Sequence, residues 1–240
     1  MSTLFISDLH LDSKRPNVIN FFINFLNNLN NDIKAIYILG DFVEYWVGDD
    51  DPAVGLQEVF KLIKKISKKI DIYFMHGNRD FMISKKYCEK NGMRLLDDPT
   101  IINLYNRKIL LMHGDTLCVD DKEYQKFRHM VRSEEWQKEM LKKSLSERLL
   151  LAENLRAKSK NETDNKDEFI MDVNSEEVKK IILKYNVDIL IHGHTHRPNI
   201  HKIFCNNKEV KRIVLGDWYD KSYILEVNQD KVSIWKNNLS

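Results

Sequence analysis

Five times along this chain a short apolar run stops at a compact polar cluster: Asp8-Leu9-His10, Gly40-Asp41, Gly77-Asn78-Arg79-Asp80, His113-Gly114-Asp115 and Gly193-His194-Thr195-His196. The runs, residues 3–7, 35–39, 71–75, 108–112 and 187–191, are dominated by Ile, Leu, Tyr and Phe with little polar alternation. That is the pattern of strands covered on both faces. Between them, apolar residues recur at helical spacing in 18–29 (Val18, Phe21, Phe22, Phe25, Leu26, Leu29) and in 54–66 (Val59, Leu62, Ile63, Ile66). Alternating strand and helix signals specify an α/β fold, whose ligands collect beyond the carboxyl ends of the strands. After His196 the runs shorten to 200–204, 211–215, 222–227 and 231–235, with Asn206-Asn207-Lys208 and Asn228-Gln229-Asp230 as hairpin turns. One antiparallel meander is expected to close the domain.

A hydrophobic fraction of 42% over 240 residues is ample for a buried core, so a soluble globular protein is expected. Lys and Arg number 38 against 36 Asp and Glu; the formal charge of +2 points to no nucleic acid. Cys88, Cys118 and Cys205 are odd in number and lack C-x-x-C spacing, which argues for a reducing cytoplasm over a disulfide framework. No apolar run approaches the roughly 20 residues of a membrane span and no basic leader precedes the first run, so neither spanning nor secretion is expected. Nothing indicates a protein partner.

Residues 120–166 break the alternation, being long, charged and helical in pattern. They read as an inserted helical lid, with 1–119 and 167–240 forming the main domain. Leu141, Leu145, Leu149, Ala152 and Leu155 fall on one helical face, and Tyr124, Phe127 and Val131 on another. Residues 122–160 hold eleven Lys or Arg against six Asp or Glu. Either this is a hairpin packed on the domain with solvated charges outside, or an apolar lid whose basic rim faces phosphate or lipid head groups.

The clusters carry the chemistry. Asp8 and His10 flank Leu9, so both side chains leave the strand end on one side. Asp41 offers two carboxylate oxygens, enough to bridge two cations, which no imidazole can do. Asn78 adds an amide oxygen, and His113, His194 and His196 add imidazoles. Singly these signals are weak, since a Gly-Asp pair is usually a turn. Together, seven candidate ligands at successive strand ends point to two divalent metal ions. His192 reads as orienting a ligand from behind, His76 as packing at a strand end, and His129 and His201 as solvated or structural.

The order D-x-H, GD, GN-x-D, HGD and GHTH resembles the calcineurin-like metallophosphoesterase superfamily. Longer blocks are similar to its UDP-2,3-diacylglucosamine hydrolase family, the pyrophosphatases of lipid A biosynthesis: TLFISDLHL (3–11), YILGDFVEYWVGDDDP (37–52), HGNRDF (76–81), LMHGDTLCVDD (111–121), IMDVN (170–174) and IHGHTHRP (191–198). The resemblance implies an αββα sandwich with an inserted helical lid and two Mn2+ ions. One ion would lie among Asp8, His10, Asp41 and His196, the other among Asp41, Asn78, His113 and His194. Ligand type alone also suits iron, zinc or cobalt. Substrate contacts are implied at Asn78, Arg79, Asp121, Ser159, Thr163, Lys166 and His194, with catalytic roles for Arg79 and His194; Thr163 stands where the family has an amide. The implied reaction is attack of water on the α-phosphorus of UDP-2,3-diacylglucosamine, giving UMP and 2,3-diacylglucosamine 1-phosphate (lipid X). The implied place is the cytoplasmic face of the bacterial inner membrane, as a peripheral protein.

Many superfamily members have His where this chain has Arg79. Arg cannot give up its proton at neutral pH, but it supplies a permanent charged fork for phosphate oxygens. A sugar 1-phosphate is already a good leaving group, so charge stabilisation suffices; a structural ion pair with Asp80 or Asp115 is the other reading. Acyl chains of the substrate are expected on Phe127, Val131, Leu141, Leu145 and Leu149, while Tyr45 and Trp46 either stack on uracil or belong to the core. A phosphoesterase for soluble nucleotides or phosphoproteins is the alternative enzyme. A metal-free interaction module is a third reading, against which the complete ligand set argues.

Overall fold

A computed structural model describes residues 1–164 and 172–239, with side chains of 158–164 outside that description. β1 (Ser2–Ile6), α1 (Pro16–Asn27), β2 (Ile33–Leu39), α2 (Gln57–Ile66) and β3 (Asp71–Met75) follow the expected alternation. Next come α3 (Lys85–Lys90), β4 (Arg94–Leu96) and β5 (Thr100–Leu104), three elements without a sequence signal, because they are too short or too half-exposed to show a period. β6 (Arg107–Leu111) precedes three helices, α4 (Lys122–Val131), α5 (Glu134–Leu141) and α6 (Leu145–Asp164). The chain then returns through α7 (Ser175–Tyr185), β7 (Ile189–His192), β8 (Asn199–Cys205), β9 (Lys208–Val214), β10 (Lys221–Asn228) and β11 (Val232–Asn238).

The strands form two sheets, ordered β11-β10-β1-β2-β3-β4 and β5-β6-β7-β9-β8. β1 to β4 are mutually parallel, as are β6, β7 and β9. Side-chain alternation explains the unbroken apolar runs: Leu4 and Ile6 pack with Val18, Phe22 and Ile63 of α1 and α2, whereas Phe5 points into a core shared with Leu111, Ile191 and Ile213 of the other sheet. On the far side, Leu110 and Leu190 pack against Val178 and Ile182 of α7. The layers are therefore helix, sheet, sheet, helix, with β1, β2, β6 and β7 buried on both faces.

The C-terminal strands do not form one meander. β8 and β9 make a hairpin in the second sheet, turning at Asn206 and Asn207 with positive φ, while β10 and β11 make another in the first sheet. The crossover follows from β10 being apolar on both faces: Ile224 joins the helix-side core and Leu225 and Val227 the inter-sheet core, which only a strand paired to β1 achieves.

The apolar face expected over 141–155 is also interrupted. Leu141 closes α5 and is 51% exposed, and Leu145 opens a separate helix beyond Lys142–Ser144. No helix among the described residues is long and apolar enough to cross a membrane.

Candidate metal centre and its cavity

Every candidate ligand sits just past the carboxyl end of a parallel strand: Asp8 and His10 after β1, Asp41 after β2, Asn78 after β3, His113 after β6, and His194 and His196 after β7. The strand ends bring these loops to one rim, and backbone bonds stitch them together: Asp8 N–H to Gly40 O and His10 N–H to Asp41 O, each 3.0 Å, and Gly193 N–H to His113 O at 2.8 Å. The loops approach so closely that a Cβ on Gly77 would collide with Asp41, and one on Gly193 with Asp8 and Ser7. Asp8, His10, Asp41, His194 and His196 all hold left-handed φ between 49 and 67°. For non-glycine residues that costs roughly 1–2 kcal/mol each, strain that accumulates at functional sites.

Two half-sites result. In one, His10 Nε2 lies 3.4 Å from His196 Nε2 and 3.8 Å from Asp41 Oδ2, and His196 Nε2 lies 3.4 Å from Asp8 Oδ1. In the other, Asn78 Oδ1 lies 3.0 Å from His113 Nε2 and 2.9 Å from His194 Nδ1, with Asp41 Oδ1 3.8 Å from His113 Nε2. Asp41 thus turns one oxygen toward each. Ligand atoms of Asp8, His10 and His196, and again of Asp8, Asp41 and His113, fall within 4.8 Å of one another. Asp8 Oδ1 is buried with no hydrogen bond to satisfy it. Lone pairs aimed at one another so closely need a proton or a cation between them, so this donor set fits metal ions.

Acceptors behind the imidazoles fix their orientation. His113 Nδ1 is 2.9 Å from Leu39 O, His196 Nδ1 2.9 Å from Asp217 Oδ2, and His10 Nδ1 3.3 Å from Glu44 Oε2. For His113 and His196 the outer N–H can donate backward and leave Nε2 facing the centre, whereas His10 Nδ1 faces the Glu44 carboxylate at ion-pair distance without a formed hydrogen bond. Burial alone would depress the His196 imidazolium, yet Asp217 and Asp8 outweigh it and raise it to about 10. Burial works the same way on His113, and Asp41, Asp115 and Asp8 lift it to about 9. His194 goes the other way, pushed down to about 4 by burial and by His113. Burial opposes ionisation of Asp8, but His196, His113 and His10 hold its carboxyl far below the usual range.

A family profile described as calcineurin-like phosphoesterase matches residues 1–198. The chain belongs to that family. It is 45% identical over 232 residues to the UDP-2,3-diacylglucosamine hydrolase of Marinobacter nauticus, covering 96% of this chain and 95% of the relative. It is 43% identical over 239 residues to that of Aliivibrio fischeri, covering 98% of each. Among solved structures, a novel archaeal phosphodiesterase shares the fold at 14% identity and a TM-score of 0.50, over 99% of each chain. Metal-dependent hydrolysis at a dimetal centre is the chemistry of the family, and the Asp and His groups of this phosphoesterase are able to hold metal.

Beside the half-sites, α4, α5 and α6, the helices of the expected insert, contribute to the lining of a cavity of about 410 Å³. Asn78, Arg79 and Asp121 are among its polar lining residues, and Phe127, Val131, Trp136, Met140, Ala152 and Leu155 among its apolar ones. Of the expected acyl-lining residues, Phe127 and Val131 are there. Leu145 and Leu149 instead line a separate space of about 150 Å³ against Leu11, Ala53 and Leu56, and Leu141 lines neither, because the break after α5 turns these leucines away. Trp46 is 4% exposed and packs on Phe60 and Tyr87, so it belongs to the core while lining both spaces beside Tyr45. Arg79 makes no ion pair among the described residues: Asp80 is taken by the Phe42 and Gly77 amides and Asp115 by Arg128 and Tyr124. His192 bonds its own neighbour, Gly193 O, at 2.9 Å, so it braces the loop backbone and makes no hydrogen bond to a ligand side chain among the described residues. Lys166 and the side chains of Ser159 and Thr163 lie outside the described residues.

Sequence reasoning missed three groups. Asp217 carried a signal: Leu215-Gly216-Asp217 repeats the pattern of Leu39-Gly40-Asp41, again after a parallel strand. Glu44 and Arg156, paired at 3.0 Å, carried none, because each is defined by a partner distant in sequence; Asp115 stood in the open within His113-Gly114-Asp115, but its partners Tyr124 and Arg128 of α4 did not.

Proposed function

We propose that this phosphoesterase cleaves the pyrophosphate of UDP-2,3-diacylglucosamine with two bound Mn2+ ions, releasing UMP and 2,3-diacylglucosamine 1-phosphate. The observation that carries this reading is one cavity lined both by Asn78 of the two-metal cradle with its neighbour Arg79 and by the apolar side chains of Phe127, Trp136 and Met140. A soluble nucleotide has no use for such walls. Burying acyl chains yields roughly 0.8 kcal/mol per CH₂, so the cavity favours a lipid-bearing nucleotide over a free one.

Asp8, His10, Asp41 and His196 would hold one ion and Asp41, Asn78, His113 and His194 the other. Bound there, a metal pair acidifies water and neutralises charge on the attacking and leaving oxygens of an in-line displacement. The protein's own groups supply position and fixed charge. The Arg79 backbone N–H donates to Asp41 Oδ1 at 2.8 Å, which leaves the guanidinium free at the cavity wall, its buried Nε without a partner. A phosphate oxygen is the acceptor it lacks. His194, neutral at physiological pH, serves as a ligand and hydrogen-bond partner and not as a proton donor. Tyr124 lays its ring 5.7 Å from that of His194 and donates its hydroxyl to Asp115, which fixes the ring beside that ligand.

The insert also exposes Phe127, Met130, Leu141 and Leu150 amid its lysines, which supports a peripheral seat on the cytoplasmic face of the inner membrane. Hydrolysis in H₂¹⁸O tests the reaction: attack at the α-phosphorus puts the label in UMP. Label in the sugar phosphate, or equal rates with deacylated UDP-glucosamine, would refute it.

A further inference from the structure

We propose that Glu44 is a positioning residue that couples the inserted helices to the metal ligand His10. The two segments that carry them run side by side: His10 N–H bonds Asp41 O, Glu44 N–H bonds Leu11 O at 3.0 Å, and Leu11 bridges Val43. The backbone therefore delivers the Glu44 carboxylate to the back of the His10 ring, 3.3 Å from Nδ1. Its other oxygen lies 3.0 Å from Nε of Arg156, which reaches in from α6. The carboxylate is 2% exposed, and neither oxygen accepts a well-formed hydrogen bond. One uncommitted buried charge is thus shared by a metal ligand and by a half-exposed cation at the cavity wall. Facing Nδ1 at 3.3 Å, its charge favours the proton on Nδ1 and raises the basicity of Nε2, the atom turned toward Asp41 and His196. Arg156 draws on the same charge and moderates that effect, so what happens at the cavity wall is felt at His10.

The inference rests on the dimetal reading and is tested by titrating chelated protein with Mn2+ while following free Mn2+ by electron paramagnetic resonance. Wild-type protein takes two equivalents; failure to do so sinks the dimetal reading itself. Glu44→Gln keeps shape and removes charge. It weakens one equivalent by roughly 10–100-fold, the usual effect of removing a partner behind a metal ligand, and moves the other less than about two-fold. Two unaltered equivalents, or equal loss of both together with a lowered Tm, overturn the positioning role. Arg156→Gln, at a more exposed site, tightens the equivalent that Glu44→Gln weakens; no change or a loss overturns the coupling. Should Glu44→Gln fail to fold, Arg156→Gln decides alone: one tightened equivalent supports the proposal and two unaltered ones end it.

Discussion

The cradle and the insert are built by opposite means. In the cradle, loops after β1, β2, β3, β6 and β7 are stitched by backbone hydrogen bonds and hold five candidate ligands at left-handed φ. The insert is tied to the rest chiefly by side chains: Arg128 and Tyr124 on Asp115, Arg132 on Gly77 O, Arg148 on Asp50, and Arg156 on Glu44. Backbone stitching in a crowded rim leaves one geometry, at the cost of strain, and suits groups that must meet to within fractions of an ångström. Side-chain ties can be exchanged, which suits walls that must admit and release long acyl chains. Substitutions in the cradle should therefore act on kcat and metal content, and those in the insert on KM.

The largest effect is expected at Asp41, the one side chain that serves both half-sites. Asp41→Ala should lower kcat/KM by about 10³-fold or more and halve or abolish Mn2+ content measured by atomic absorption. Activity within ten-fold of wild type would show that the cradle is not the centre of the reaction. Arg79→His ranks next, costing about 10²-fold in pyrophosphatase rate through loss of a fixed charge at the phosphate, without creating an efficient monoesterase. A rise in kcat/KM on ordinary phosphate monoesters would remove the charge-fork role.

The insert supplies smaller effects of the other kind. Met140→Ser and Phe127→Ser each strip an apolar wall worth about 1.5–3 kcal/mol if fully engaged, so KM for the diacylated substrate should rise about ten-fold or more with kcat little changed. Leu141→Ser, at an exposed position outside the cavity, should change KM less than about two-fold. Equal effects at Met140 and Leu141 would erase the assignment of the acyl wall.

The same contrast explains what was legible in the sequence. The cradle could be read because its chemistry demands particular residue types at particular strand ends, so Gly40-Asp41, weak alone, gains its meaning from four further clusters in the same setting. The two-sheet sandwich was less plain. Splitting the last four strands between sheets depends on which core Leu225 and Ile224 face, and that is decided by β1 more than two hundred residues earlier. The insert was least legible. Leu141 and Leu145 stand one helical turn apart in sequence, but the break at Lys142–Ser144 puts them on different helices, and no periodicity records where a helix stops. Asp217 shows that the limit was partly one of reading, since its Gly-Asp signature lay in the open.

The subtlest consequence separates the regions by pH. In chelated protein, His113 and His196 titrate near 9 and 10, above the ordinary 6.5, because Asp41, Asp217 and Asp8 stabilise their charged forms against burial. A histidine with a raised folded pKa contributes stability that is complete below about pH 6.5 and is lost as pH climbs through the folded value. Asp80, lifted to about 7 by burial and by Asp41, acts with the same sign at the start of that range. Chelated protein should therefore lose several degrees of Tm between pH 7 and 9. Mn2+-loaded protein should lose less, because the cations occupy the space the protons held and bind better as those protons leave. Asp217→Asn should flatten the chelated slope by removing a main support of the His196 charge, whereas Leu141→Ser in the insert should leave it unaltered. A chelated Tm that rises with pH would show that the imidazoles are not held as cations by the cradle, and would weaken the case that metal ions replace them there.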